Sequence, residues 1–94
     1  MANISLRAYN REIENLIEKG AIEEAIGHAK QILRSYPKCI ETYRLLGKAF
    51  LESHRYTEAS DILQRVLSVI PDDFIAQIGM SIIREDEGNL DAAI

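Results

Sequence analysis

The chain has 94 residues, of which 47% are hydrophobic and 28% charged, with only two prolines. This composition is typical of one small globular domain and excludes a disordered chain. No apolar run approaches the ~18 residues of a membrane helix, and no basic cluster precedes an apolar segment near Met1, so a cytoplasmic location is expected. Cys39 is the single cysteine, which excludes an internal disulfide.

The charge is unevenly distributed along the chain. Residues 1–71 contain 9 acidic and 10 basic side chains, whereas residues 72–94 contain 6 acidic and 1 basic, so the net charge of −4 comes from the C-terminal end. Neither part has the clustered Lys and Arg with interleaved aromatics that phosphate binding requires. Nucleic acid and anionic membrane surfaces are therefore not expected as partners.

The first part of the chain predicts a helical hairpin after a short lead, residues 1–5, in which Ser5 or Asn3 can cap the first helix. Gly20 is expected to form the turn, because glycine adopts positive φ without steric cost. The return helix is predicted to end before Pro37. The apolar stripes of the two helices consist of Leu6, Tyr9, Ile13 and Leu16, and of Ile22, Ala25, Ile26, Ala29, Ile32 and Leu33.

The middle of the chain, residues 40–73, repeats this arrangement. Two helical patterns are separated by a short connection, so the helices are predicted to form an antiparallel hairpin. His54 takes the place of the turn glycine, and Pro71 ends the second helix. The stripes consist of Tyr43, Leu46, Gly47 and Phe50, and of Ala59, Ile62, Leu63, Val66, Leu67 and Ile70.

A third unit begins after Asp72 or Asp73, either of which can cap its helix. Phe74, Met80 and Ile83 are predicted to continue the packing stripe. A turn is expected at Gly88 and Asn89, after which only Leu90 to Ile94 remain of a further helix. The expectation is that the chain is a fragment of a longer repeat protein, or that it completes itself by self-association at this open end.

These units recur every 34 residues: Pro37 and Pro71, Ala25 and Ala59, and Tyr9 and Tyr43 are equivalent pairs. The middle unit resembles the tetratricopeptide repeat in its order of aromatic, Leu-Gly, aromatic, small and proline positions. These positions are Tyr43, Leu46, Gly47, Phe50, Ala59, Leu63 and Pro71. The resemblance implies an all-α fold, a right-handed α-solenoid of antiparallel helix hairpins over residues 6–94. It has about two and a half units: residues 6–39, residues 40–73 and an incomplete unit at 74–94.

Small residues at Ala25, Gly47 and Ala59 are expected to face the neighbouring helix, where there is no room for a larger side chain. Ala59→Leu is predicted to lower the melting temperature because overpacking costs about 1–3 kcal/mol. By the same resemblance, the first helix of each unit lines a concave groove that binds a peptide or a partner helix. The candidate binding residues are Arg7, Asn10, Glu14, Ile17, Arg44, Lys48, Leu51, Ile75, Ile78 and Ile82, with Glu18, Glu41, Glu52, Glu85 and Asp86 along the same faces.

Two groups of these residues have alternative interpretations. Ile75, Ile78 and Ile82 form either an apolar patch for a partner or a surface that a neighbouring repeat covers. Arg44 and Lys48 either receive a carboxylate of the partner or pair with acidic side chains of their own helix, Glu41 and Glu52.

Several functional classes are disfavoured. Family members that grip the terminal carboxylate of chaperone tails use Lys, Asn and Arg at positions where this chain has Asn10, Glu14, Leu45, Ile75 and Gly79, so that clamp is not expected. His28 and His54 belong to different units, and no phosphate loop or nucleophile motif occurs, so neither catalysis nor a metal or cofactor is expected. A protein-binding scaffold is predicted, with a structural module that self-associates through its C-terminal end as the alternative.

Overall fold

The computed structural model describes the backbone of residues 5–92 and the side chains of residues 5–86. Every regular element in this part of the chain is an α-helix. The helices are α1 (Leu6–Glu18), α2 (Ile22–Ser35), α3 (Ile40–Glu52), α4 (Tyr56–Val69) and α5 (Phe74–Ala92). Within these residues, no helix combines the length and apolar character needed to cross a bilayer.

The helices form two hairpins and a fifth helix that packs on the second hairpin. α1 pairs with α2 and α3 pairs with α4; α3 also contacts α1 and α2, and α5 contacts both α3 and α4. The first helices of the units, α1, α3 and α5, are therefore neighbours. This stacking of hairpins confirms the predicted helical-repeat architecture.

Both hairpin turns have the conformation predicted from the sequence. Gly20 has φ of 86° and His54 has φ of 59°. The residue after each turn donates its backbone N–H to a carbonyl five residues earlier: Ala21 to Leu16 at 2.9 Å, and Arg55 to Phe50 at 2.8 Å. These hydrogen bonds satisfy carbonyls that the helix end leaves free.

The core follows the predicted stripes. Ala25 and Ala59 are fully buried, and Gly47 is buried as well. A Cβ built on Gly47 would lie 2.7 Å from Cδ2 of Leu63, so α3 and α4 approach each other closely only because this residue has no side chain. The prediction that small residues permit the helix crossings is confirmed.

Side-chain caps begin two of the helices. Ser5 Oγ accepts the backbone N–H of Ala8 at 3.1 Å, which confirms Ser5 as a cap; Asn3 lies outside the described residues. Of the two candidates before α5, Asp73 is the cap: its Oδ1 accepts the N–H groups of Ile75 at 3.1 Å and Ala76 at 3.2 Å.

The third unit departs from the expected hairpin. α5 continues through Gly88 and Asn89 to Ala92, so the predicted turn is wrong, and the proposed final helix belongs to α5 as far as Ala92. A glycine inside a helix costs only about 1 kcal/mol relative to alanine, which is too little to stop the helix by itself.

Phe74 was also predicted incorrectly, since it is 73% exposed and not part of the packing stripe. Its equivalent in the second unit, Ile40, lies in a cavity with Val69 at the end of the return helix α4. Because α5 continues straight to Ala92, the described residues contain no return helix to cover Phe74.

Candidate partner-binding groove

The face formed by α1, α3 and α5, which we name the concave side because it carries two cavities, has one half between α1 and α3 and one between α3 and α5. The second half, which we name the apolar groove, has a cavity volume of about 540 Å³. Its apolar lining consists of Leu45, Leu51, Leu63, Ile75, Ile78 and Ile82, and the charged side chains at its edge include Glu14, Lys48 and Glu52.

Three isoleucines of α5 are the most exposed part of this lining. Ile75 is 55% exposed, and Ile78 and Ile82 are each 44% exposed. They line the groove, whereas Ala76, which is fully buried, and Ile83, which is 3% exposed, lie on the neighbouring side of α5 that packs against the core. The helical period then places all three isoleucines on one side of α5.

Gly79 allows α5 to lie close to the other two helices at the floor of the apolar groove. A Cβ built there would lie 2.6 Å from Cδ1 of Leu63 and 3.2 Å from Cδ1 of Leu51. Leu63 is thus held between Gly47 of α3 and Gly79 of α5. Neither Gly79 nor Leu63 was among the sequence-based groove candidates; the available signal was a glycine inside a helical pattern.

An ion pair fixes the N-terminal end of α5 against α3. Arg44 Nε donates to Asp73 Oδ2 at 2.6 Å, and the Asp73 side chain is only 2% exposed. Burial by itself raises the pKa of Asp73, but the hydrogen bond from Arg44 and those from the N–H groups of Ala76 and Ile75 lower it, and the net pKa is below its ordinary value. Asp73 is therefore a buried carboxylate that caps one helix and binds another.

This ion pair decides the role of Arg44. The side chain binds an internal carboxylate and not Glu41 or Glu52, so the interpretation of pairing along its own helix is wrong for Arg44. Lys48, one turn later, takes part in none of the ion pairs among the side chains of residues 5–86. Of the two cations, Lys48 is the one available to a partner.

The α1–α3 half, which we name the charged groove, has a cavity of about 340 Å³. Its lining is mostly charged, with Arg7, Arg11, Glu14 and Glu41. All four side chains are exposed. Glu14 borders both halves, so the concave surface changes from charged at α1 to apolar at α5.

Asn10 and Ile17 were predicted to line this groove, and both have little exposed surface. Asn10 borders the cavity of the charged groove but is only 1% exposed, and its Oδ1 accepts a hydrogen bond from Thr42 Oγ1 at 2.7 Å across the α1–α3 contact. Ile17 is 5% exposed; it lies one turn after Ile13 in the same buried cluster. Both side chains therefore pack between helices, and their role toward a partner stays a prediction.

The remaining candidates have mixed exposure. Leu51 is half-buried and lines the apolar groove, whereas Glu18, Glu52 and Glu85 are exposed. Each histidine interacts with a tyrosine of its own hairpin: Nδ1 of His28 lies 2.9 Å from the Tyr9 hydroxyl, and Nδ1 of His54 lies 2.9 Å from that of Tyr56. Among the described residues, no three His, Cys, Asp or Glu side chains come together as metal ligands.

Comparison with known proteins gives a match to one family of helical repeats. No curated protein and no solved structure gives a significant match. A family model described as tetratricopeptide repeat matches residues 16–81, which is more than two thirds of the chain and includes α2, α3 and α4 completely. The protein therefore belongs to the tetratricopeptide repeat family, whose repeats generally mediate protein–protein interaction.

Proposed function

We propose that this protein is an interaction scaffold that binds a peptide or a helix of a partner protein in the apolar groove. The observation that carries the proposal is the row of exposed isoleucines, Ile75, Ile78 and Ile82, along a cavity of about 540 Å³. Apolar side chains in a concave site are the usual anchor points for a partner's side chains. A cytoplasmic location and the absence of a catalytic role stay predictions.

The construction of the groove supports this role. Its walls are helices and not loops, and α5 is positioned by the Arg44–Asp73 ion pair at one end and the close approach at Gly79 in the middle. A rigid wall loses little conformational entropy when a partner binds. The isoleucines are thus presented in a fixed geometry.

The alternative is self-association through the solvent side of α5. That side carries Gln77, Ser81 and Arg84, all of them exposed, and its exposed apolar member is Phe74, whereas Met80 is half-buried and packs against the core as predicted. Stable subunit interfaces bury a larger apolar core than Phe74 supplies. Ile83→Glu does not test a contact between copies cleanly. Ile83 is only 3% exposed, so this substitution would disrupt the packing of α5.

The proposal is tested by affinity capture with three immobilised proteins: the wild type, Ile78→Glu and Ser81→Glu. Both variants add one negative charge at an exposed position of α5, but only Ile78 lines the groove. We expect partners that bind the wild type and Ser81→Glu and are lost with Ile78→Glu, while the helical circular dichroism of all three proteins is the same. Partners retained by Ile78→Glu would contradict the proposal.

The alternative is tested by light scattering over a range of concentrations, on the same three proteins and on Phe74→Asp. Self-association through the solvent side of α5 predicts that the wild type has a mass above that of the monomer and that this mass falls in Phe74→Asp and Ser81→Glu. The proposed scaffold predicts a monomer in all of them.

A further inference from the structure

The exposed isoleucines of the apolar groove follow the spacing of a helix face. Ile75, Ile78 and Ile82 occupy positions i, i+3 and i+7 of α5, and about half of each side chain is exposed. Seven residues of an α-helix extend over about 10 Å, so the row covers two turns. This length allows two turns of a second helix to lie along it.

The lining of the apolar groove contains few groups that can form hydrogen bonds. Of the side chains that the structure describes, no Asn, Gln, Ser or Thr lines this groove. The backbone N–H and C=O groups of α3 and α5 bond within their own helices. The uncharged residues of the lining, His54 apart, are Leu45, Leu51, Leu63, Ile75, Ile78, Gly79 and Ile82.

The polar side chains of the lining do not change this. Arg44 and His54 already bond to other side chains of the protein. Glu14, Lys48 and Glu52 at the edge carry charges of both signs. These three side chains can contact polar side chains of a partner, but they do not select its net charge.

An extended segment would lose hydrogen bonds in such a groove. The backbone N–H and C=O groups that it turns toward the isoleucines would leave water without gaining a partner, and each unpaired group opposes binding. A helix bonds its backbone groups internally and presents side chains only. The lining therefore favours a helix over an extended strand.

Resting on the proposed function, we propose that the occupant of the apolar groove is an amphipathic helix of a partner protein. Its apolar side chains stand at positions i, i+3 or i+4, and i+7 and lie against Ile75, Ile78 and Ile82. Its polar side faces the solvent and the charged edge of the groove. Three turns, about 11 residues, are enough to cover the row.

The exposed area argues against a second copy of this chain as the occupant. Stable interfaces between subunits involve about 20–30 residues on each side. The row supplies three half-exposed isoleucines, and the neighbouring exposed positions of α5 include the polar residues Gln77 and Ser81. A surface of this size matches one short helix and is too small for a stable dimer.

The test begins with a display selection of random 16-residue peptides on the immobilised wild-type chain. The enriched peptides are then titrated by calorimetry into the wild type, Ile78→Glu and the control Ser81→Glu. We expect peptides that bind the wild type and Ser81→Glu and lose binding to Ile78→Glu. Their apolar residues should have helical spacing, and the ¹³Cα chemical shifts of a labelled peptide should move to helical values when it binds.

A proline substitution in the peptide separates a helix from an extended strand. It is placed in the middle of the peptide, at a position where alanine does not change the affinity. There proline should weaken binding about 100-fold, because it costs about two factors of ten inside a helix. An extended segment accepts proline at a position that makes no contact.

The outcomes distinguish the helical occupant from the groove function. Peptides that depend on Ile78 but tolerate the central proline, or that keep extended chemical shifts when bound, overturn the helix inference and leave the groove function intact. A selection that yields no peptide lost with Ile78→Glu overturns both. A dimer that dissociates in Ile78→Glu, measured by light scattering, identifies a second copy as the occupant and also overturns the inference.

Discussion

The two halves of the concave surface use equivalent backbone positions with different chemistry. Beneath the charged groove, Asn10 of α1 accepts a hydrogen bond from Thr42 of α3 at 2.7 Å and donates weakly to Sγ of Cys39, just before α3, at 3.8 Å. Beneath the apolar groove, the residues 34 positions later, Arg44 and Asp73, form an ion pair at 2.6 Å. The repeat register therefore places the contacts between consecutive units at equivalent backbone positions, while the side chains at those positions determine which kind of bond forms.

The contacts also differ in whether they cap the N-terminus of the next helix. Cys39 precedes α3 without forming a side-chain cap, whereas Asp73 caps α5 through two backbone N–H groups. A capped and ion-paired α5 has a more strongly fixed N-terminus. This is the half that presents exposed isoleucines, and we infer that the firmer junction holds those isoleucines in place.

The largest effect is expected at Leu63, which contacts both glycines of the apolar half. Leu63→Ala should lower the free energy of unfolding by about 2–5 kcal/mol, because it leaves a cavity between α3, α4 and α5. Val69→Ala, on the same helix but at a position 63% exposed, should change it by less than about 0.5 kcal/mol. Equal urea midpoints for the two variants would show that Leu63 of α4 does not stabilise the packing of α3 and α5.

The second effect concerns Asp73. Asp73→Ala should lower the free energy of unfolding by about 2–3 kcal/mol through loss of the cap and of the bond to Arg44. Asp73→Asn keeps a capping oxygen and should cost about 1–2 kcal/mol through loss of the charged hydrogen bond. Cys39→Ala, at the equivalent position, should cost less than either.

The ion pair also predicts a pH dependence. Because the pKa of Asp73 is lowered in the folded state, its carboxylate stabilises the fold fully above the unfolded-state pKa of about 3.9, and this contribution is lost as the pH falls through the lower folded-state value. Urea unfolding at pH 7 and pH 3 should therefore show a smaller difference between wild type and Asp73→Asn at pH 3. A difference that is the same at both pH values would contradict the role of the ion pair.

Gly79 allows a third comparison. Gly79→Ala should lower the free energy of unfolding by about 1–2 kcal/mol, because overpacking against Leu63 outweighs the gain in helix propensity. Gly27→Ala is the control: nothing lies within 4 Å of a Cβ there, so the same change should stabilise the protein by about 0.5–1 kcal/mol. If Gly79→Ala and Gly27→Ala shift the melting temperature in the same direction, Gly79 is not in close contact with Leu63.

The smallest effect is expected when the N-terminus of α3 receives a side-chain cap like the one that Asp73 forms at α5. Cys39→Asp should stabilise the protein by about 0.5–1 kcal/mol, because its carboxylate can accept N–H groups at the start of α3 and the amide of Asn10. Cys39→Ala lacks that acceptor and serves as the control. A lower melting temperature for Cys39→Asp than for Cys39→Ala would mean that the two junctions are not equivalent.

The sequence predicted the features that depend on local or periodic patterns. The turns at Gly20 and His54, the cap at Ser5 and the small crossing residues Gly47 and Ala59 were all confirmed, because each follows from backbone conformation or from the 34-residue register. These features need no knowledge of the neighbouring unit.

The errors and omissions arose where contacts between units decide the outcome. Arg44 was considered with the acids of its own helix, but its partner lies 29 residues away, and Asn10 is buried by Thr42, 32 residues away. The turn at Gly88 was predicted from the register alone, although a single glycine does not end a helix. Rules that consider one helix at a time cannot predict contacts between residues that lie so far apart in the sequence.

We infer that a partner binds over the apolar groove. The most direct measurement of this binding is a map of backbone amide chemical shifts in the isotope-labelled chain as a partner segment identified by affinity capture is added. Binding in the apolar groove predicts that the largest shifts lie at residues 48–52 and 75–82. Shifts concentrated instead in the cavity between the start of α3 and the end of α4, around Tyr43 and Val69, would contradict this inference.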